Sequence, residues 1–323
     1  MAFSKVTLNG TTIMDVTGDT VDEENLLAGE TATKANGVRT TGTLDLPVGV
    51  GEPYVGVDLT TKFSTEITTY SNNPWAWIKA RITNGDYSGI HVGDYIPFTC
   101  TNQAATALNA KILGINTYTG SGNPAIGNHI DFMAGVWQAD TTMNLANYNN
   151  GTSVSAYPWL ASNAYLYANS LQGSVPSSAS ANPSMTAKNY QTDGIYYYLP
   201  SNLQNVIVTK RALLERRYTS GELLEESNNY GWTNIGKIWF PSEIEVTGTA
   251  CWTKYGSAIG GSVQYPYFAC NMGHRVFGGL RWFTLSPVSG SSSWFSCITP
   301  YGGCEYAKAT HDTSYFPVCF RIA

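Results

Sequence analysis

The chain has 323 residues, of which 43% are hydrophobic and only 13% charged, with a net charge of -5. That length accommodates two domains, or one large domain with an appendage, and supplies enough apolar residues for a sizeable core. The charged fraction is about half the usual ~25%, and the few basic residues are scattered, which excludes the electrostatic footprint of a nucleic-acid binder. Ser, Thr, Asn, Gly and Tyr must therefore cover a largely neutral surface. Such a texture suits an antibody-like recognition surface, and equally a surface partly hidden in an oligomer.

The start, MAFSKVTLNG, lacks an apolar signal core, and no later stretch approaches ~18 uninterrupted apolar residues. Neither an N-terminal export signal nor membrane insertion is expected. Residues 1–45 read as a small attachment or oligomerisation module. In DTVDEENLLAG, Thr20 and Glu23 have the spacing of a capping box, and Gly29 stands where a helix would close. TATKANGVRTTGT then predicts a hairpin turning at Asn36-Gly37. One helix and one hairpin bury little surface, so the module should lean on a neighbouring subunit, the main domain or a larger assembly. Pro and Gly punctuation assigns residues 46–54 to a linker and leaves 55–323 as the main domain.

Beyond the linker the texture turns aromatic and mostly β. WAWIKARITNGDYSGIHVGDYIPFTC alternates apolar and polar residues about Asn84-Gly85 and predicts paired strands. KILGINTYTG and HIDFMAGVW continue in the same manner. Two helices are expected. Pro158 opens PWLASNAYLYANSLQG, with Leu160, Ala164, Tyr167 and Leu171 on one face and Gly173 closing it. In SNLQNVIVTKRALLERRY, Ser201 is the expected N-cap, with Leu203, Val206, Ile207 and Lys210 at helical spacing. Lys210, Arg211, Arg216 and Arg217 would then line a solvated, partly salt-bridged helix.

From KIWFPSEIEV onward, short strands alternate with long Gly-, Ser- and Tyr-rich connections. In RWFTLSPVSGSSSWF, Trp282 and Leu285 should face the core, Pro287 should end the strand, and PVSGSSS should be a surface loop. YFPVCFRIA predicts a last strand tucked into the core.

Three segments in this order, Lys237–Glu243 (KIWFPSE), Trp282–Pro287 (WFTLSP) and Phe316–Ile322 (FPVCFRI), resemble the C-type-lectin-like fold of phage and bacterial proteins. The nearest likeness is to a family of uncharacterised lectin-like domains common in phages of Gram-positive gut bacteria. The N-terminal DVTGDTVDEENLLAGETATKANGVRTTGT is similar to a short element that recurs in phage virion proteins. The resemblance spans residues 1–45 and roughly 85–323. It implies an α+β fold: a C-type-lectin-like domain of short mixed strands, two helices and long loops, preceded by the helix-plus-hairpin module.

By the same resemblance the chain is a virion protein, synthesised in the host bacterial cytoplasm, whose lectin-like domain binds a host cell-surface carbohydrate or protein. The N-terminal module would engage other virion proteins. A homotrimer is the expected assembly, because fibre- and spike-like virion proteins are commonly trimeric. Relatives diversified by retroelements vary just ahead of the final strand, here Trp294 to Tyr315. Within that window Trp294, Ser296, Thr299, Tyr301, Glu305, Tyr306, Lys308, His311 and Tyr315 are the expected ligand-binding residues, because Tyr and Trp anchor recognition surfaces. Three or four of them should be buried structural residues, and His311 a solvated loop histidine.

Enzymatic motifs are missing: there is no G-x-S-x-G, no H-E-x-x-H and no phosphate-cradling Gly loop. Asp131 and the pair Glu243/Glu245 read as turn or cap residues, with Ser242 and Glu243 at a polar corner after a buried strand. A polysaccharide hydrolase would instead need paired carboxylates facing one cleft. A third reading is a head or tail decoration protein that binds no ligand and buries the Trp294–Tyr315 surface against neighbouring subunits. No metal or cofactor is expected, since no calcium-lectin triplet occurs. Cys100, Cys251, Cys270, Cys297, Cys304 and Cys319 form no C-x-x-C pair and no zinc spacing with His91, His129, His274 or His311. Buried free thiols are expected. Cys297 and Cys304 invite comparison with formylglycine-generating enzymes, but SCITPYGGCEY does not reproduce that family's motif; two partly buried or facing thiols are expected there.

Overall fold

The computed structural model describes residues 5–8, 11–15, 26, 31–34, 36, 38–42, 54–101, 107–122, 124–139, 141–145, 157–171, 174–175, 188–216, 230–253, 263–291, 293–311 and 315–323. The chain divides into two compact units, Met1–Val55 and Gly56–Ala323. It is a mixed α+β structure with more strand than helix, and every strand pair among the described residues is antiparallel.

In the first unit β1 (Lys5–Leu8) pairs with β2 (Thr11–Asp15), with a bulge between Val6 and Thr7. β3 (Thr31–Thr33) and β4 (Arg39–Thr41) make the hairpin expected at Asn36. Lys34 N–H donates to the Val38 carbonyl at 2.8 Å, and the Asn36 side chain accepts from Val38 N–H at 3.0 Å. DTVDEENLLAG lies outside the described residues except for Leu26, and so does the linker as far as Pro53.

The larger unit begins with α1 (Leu59–Lys62), α2 (Ser64–Thr68) and α3 (Pro74–Thr83). Here α3 replaces the first of the expected paired strands. Asn73 accepts from the N–H groups of Trp75 (3.1 Å) and Ala76 (3.3 Å), and Pro74 occupies the first turn. Both features start helices. Trp75, Ile78 and Ile82 then fall on one helical face and are buried.

Three long strands follow: β5 (Tyr95–Thr99), β6 (Ala107–Ile115) and β7 (Ile130–Gln138). Next come α4 (Asn163–Ala168), the short pair β8 (Ser174–Val175) and β9 (Lys188–Asn189), and α5 (Tyr190–Asp193), α6 (Ile195–Tyr198) and α7 (Ser201–Gln204). α4 starts later than Pro158, because Ser162 caps it by accepting from Tyr165 N–H at 3.0 Å. The "two helices" of the sequence reading are thus replaced by several short ones.

The second expected helix stops after one turn at Gln204. Its continuation becomes β10 (Ile207–Val208) and β11 (Arg211–Glu215), the latter paired with β12 (Tyr230–Asn234). A β-branched run, Val206 to Thr209, favours extended backbone, and the chain's last strand supplies the partner. Lys210 is therefore not on a solvated helix; it is 1% exposed.

After β13 (Ile238–Trp239) come α8 (Glu243–Thr247), α9 (Pro266–Cys270), a 3-10 turn at Met272–Arg275, and β14 (Trp282–Pro287), β15 (Trp294–Ile298), β16 (Cys304–Lys308) and β17 (Tyr315–Ile322).

The main sheet runs β10-β17-β7-β6-β5, with β13 also paired to β17. The terminal strand is thus central, flanked by β7 on one side and by β10 and β13 on the other. One face carries Phe132 and Phe320, which with Phe98 receive the Trp75 ring edge-on at 5.9–6.1 Å. Such aromatic pairs add about 0.5–1.5 kcal/mol each beyond area burial. Alternation along the strands sends Asp131, Cys319 and Arg321 to the other face. A smaller sheet, β14-β15-β16, packs against the main one through Phe283 and Phe316, whose ring centroids are 6.5 Å apart.

Candidate functional site

Helix α8 organises two polar clusters. Ser242 accepts from Glu245 N–H (3.2 Å) and the Glu245 carboxylate accepts from Ser242 N–H (2.6 Å), a reciprocal capping box. Gly248 closes the helix at φ +81°, where an added Cβ would also lie 2.6 Å from the Gln264 side chain. Glu243 and Glu245 sit two positions apart, about 200° around the helix axis, and so reach opposite ways.

Glu245 reaches the main sheet. Its Oε1 accepts from Lys210 Nζ and Tyr118 OH, both at 2.6 Å. Lys210 Nζ also donates to Tyr265 OH (2.9 Å), which donates to Asp131 Oδ2 (2.8 Å). Asp131 holds Arg321 in a bidentate pair, both hydrogen bonds 2.7 Å long. The Lys210 ammonium lies 3.6 Å from the Trp239 ring centroid. All these side chains are buried, and two anions balance two cations. Asp131 is thus neither a turn nor a cap residue, contrary to expectation.

The electrostatics follow from that balance. Burial alone would raise the Asp131 pKa, but the charge and hydrogen bonds of Arg321, helped by Lys210, hold it well below the usual carboxylate range. Arg321 is raised against its own burial by Asp131. Tyr118 and Tyr265 are pushed far up by burial and by the carboxylates beside them. His129 accepts from Tyr118 N–H at Nε2 (3.2 Å), faces the Gly127 carbonyl with Nδ1 (2.8 Å), and is lowered chiefly by burial.

Glu243 reaches the smaller sheet and is 0% exposed. Its Oε1 accepts from Trp252 N–H (2.9 Å), the Ser296 hydroxyl (3.2 Å) and the Cys304 thiol (3.0 Å). Its Oε2 accepts from the N–H (2.9 Å) and hydroxyl (2.6 Å) of Thr253. Among the described residues, none of these partners carries a positive charge. Register explains the convergence: Ser296 pairs with Tyr306 and Ile298 with Cys304, so Ser296 and Cys304 share a face of the sheet. Burial, then the Glu243 carboxylate, pushes the Cys304 thiol far above its ordinary pKa. Cys251, Cys304 and Glu243 place their sulfur and oxygen atoms all within 4.8 Å of one another, the donor set of a metal ligand group.

An aromatic patch borders this cluster. Tyr306 meets the Trp252 ring at 4.5 Å, edge to face, and the Trp294 ring at 4.3 Å. Trp252 is exposed, whereas Trp294 and Tyr306 are half-buried.

Of the residues expected to bind ligand, Trp294, Ser296 and Tyr306 come together here, with exposed Lys308 opposite Trp294. Ser296 is 0% exposed, so it belongs to the floor beneath the surface. Thr299 shapes the β15–β16 turn, its hydroxyl accepting from Tyr301 N–H (3.3 Å) and Gly303 N–H (3.1 Å). Tyr301 projects from the tip of that turn, 88% exposed. Glu305 lies on the opposite face of the strand, paired with Arg281 at 2.6 Å. His311 is half-buried in the turn after β16, and Tyr315 starts β17 opposite Gln138.

Cys297 and Cys304 do not face each other. Cys297 pairs with Phe283 and Glu305 on the other side of β15, and burial raises its thiol pKa to about 12. Of the six thiols, Cys251 and Cys270 are exposed rather than buried.

Glu243, Cys251, Trp252 and Thr253 were not read from the sequence as members of this site. The S-E-I-E capping-box spacing was a signal for α8 and hence for the orientation of Glu243. Nothing local marks Cys251, which reaches Cys304 only through the fold. No protein-family model, no curated protein and no solved structure matches the chain.

Proposed function

We propose that the chain is a phage virion protein whose larger unit is a C-type-lectin-like domain that binds a host-surface carbohydrate or protein without catalysis. The observation that carries this reading is the aromatic patch of Trp252, Trp294 and Tyr306; Tyr301, 88% exposed, stands at the tip of the same β15–β16 hairpin. Large rings with a fixed orientation and hydroxyl-rich neighbours are the usual anchors of recognition surfaces. The rim is held by β15 and β16 and by the Glu243 cluster, so little ordering is left for binding to cost. In this reading the smaller N-terminal unit joins other virion proteins, and the assembly is a homotrimer. Two-stranded hairpins are marginal on their own in water, which supports an attachment role.

A polysaccharide hydrolase draws no support from Asp131, Glu243 and Glu245. All three are buried, and Asp131 and Glu245 are each bound to a cation.

The test is binding of the purified protein to intact Gram-positive gut bacteria and to their isolated surface polysaccharides, beside Trp252→Ala, Trp294→Ala and Tyr306→Ala. Loss of binding with an unchanged melting temperature is the expected result. If the wild-type protein binds no cell or glycan yet adds to particles lacking it, the adhesin reading gives way to decoration.

A further inference from the structure

We propose that Glu243, Cys251 and Cys304 form a binding site for one thiophilic divalent cation of the Zn2+ class. Three observations converge on it. The three donor atoms lie within 4.8 Å of one another. In a tetrahedral site with Zn–S about 2.3 Å and Zn–O about 2.0 Å, sulfur and oxygen stand about 3.5 Å apart. The Cys304 Sγ to Glu243 Oε1 distance is 3.0 Å, so a shift of roughly half an ångström seats the metal where the thiol proton now sits.

The second observation is that no described residue pairs Glu243 with a counter-charge. A buried carboxylate is normally paired with a cation or a metal. Asp131 and Glu245 obey that rule, whereas among the described residues Glu243 meets only backbone N–H groups, hydroxyls and a thiol.

The third is Arg275. Its Nε is buried without a hydrogen-bond partner, and it lies within electrostatic reach of both Cys251 and Cys304. Two thiolates and a carboxylate around a divalent ion leave one net negative charge, which the Arg275 guanidinium matches. Ser296, bonded to Glu243 and 3.4 Å from the Cys304 sulfur, orients the ligands from behind.

Cys251 is exposed, so the ion reaches the site from solvent and retains one position for water or an outside ligand. Binding is a substitution without redox change: both thiol protons pass to solvent and two metal–sulfur bonds form. With hard cations such as Ca2+ the site should not compete, since those prefer oxygen donors. The proposal is independent of the host-binding reading, because its test uses the metal alone.

The experiment is titration of the reduced full-length protein with Co2+, followed by displacement with Zn2+. One equivalent should bind with a thiolate-to-cobalt charge-transfer band and the visible bands of tetrahedral cobalt, and Zn2+ should abolish both. Cys251→Ser, at an exposed position that leaves the core intact, and Cys304→Ser should lose the charge-transfer band. Ser296→Ala should weaken binding about tenfold, and Cys270→Ser should titrate like wild type. Zn2+ should raise the melting temperature of wild type and not of Cys251→Ser. The proposal is overturned if cobalt gives no thiolate band, if Cys251→Ser binds like wild type, or if Cys251 and Cys304 are joined as a disulfide that forms again after reduction and blocks metal uptake.

Discussion

Glu243 and Glu245 share one short helix, yet their surroundings differ in kind. Glu245 enters a closed network in which Lys210 and Arg321 balance it and Asp131, with Tyr118 and Tyr265 filling the remaining lone pairs. Glu243 is equally buried, but its described partners are all neutral and one is a thiol beside a second, exposed thiol. The first arrangement is complete and locks the helix to the main sheet. The second holds the loop at Trp252 and Thr253 under the aromatic patch, and among the described residues no cation hydrogen-bonds to it. Burial alone therefore does not separate a structural carboxylate from one able to take a ligand; the sign of the charge around it does.

The comparison breaks most sharply at Lys210. Lys210→Met leaves Glu245 buried without its cation and should cost about 3–5 kcal/mol in urea unfolding. The double variant Lys210→Met/Glu245→Gln should recover part of that loss. A single-variant loss under about 1 kcal/mol would mean that the network contributes little.

Glu243→Gln comes next. Its amide turns an NH2 toward groups that themselves donate, so a loss of about 1–3 kcal/mol is expected. A loss matching Lys210→Met would erase the distinction between the two carboxylates.

Acid titration sharpens the contrast from the other side. The folded Asp131 carboxyl is held below its ordinary value of about 3.9. Between those two values the unfolded chain binds more protons, so stability is fully present above about pH 4 and falls as the pH drops toward the folded value. Asp131→Asn, although less stable throughout, should show a shallower fall, by about 1–2 kcal/mol between roughly pH 5 and pH 3. Identical slopes would remove Asp131 from the account.

The smallest effect belongs to Tyr301, at 88% exposure. Tyr301→Ala should change stability by less than about 0.5 kcal/mol, so any larger loss in cell binding would report ligand contact.

Much of the strand framework was legible. Alternation located β6 and β7, Asn36 marked its hairpin, and the apolar YFPVCFRIA proved to be the central strand β17. Helix caps were legible only in part: Ser201, expected as an N-cap, lies inside a one-turn helix that no side chain caps, whereas the caps that do form at Asn73 and Ser162 were not read. Asn73-Pro74 starts α3 in a stretch whose alternation suggests a strand, while the spacing of Leu203, Val206 and Ile207 suggests a helix that pairing with β17 overrides. The site was half legible: Trp294, Ser296 and Tyr306 were expected on one surface, but the carboxylate beneath them and the thiol beside them were not.

The sequence by itself determined a sparsely charged composition, hairpins and alternating strands with defined faces, and a window of Trp, Tyr and hydroxyl residues before the last strand. These are local properties, set by composition and by the two-residue period of the strand. Tertiary structure alone decided the fate of the charges. Asp131 meets Arg321, Lys210 meets Glu245, and Glu243 meets Cys304 across wide separations in the chain. Whether a buried carboxylate is neutralised, capped or left to a cation depends on partners that only folding brings within a few ångströms.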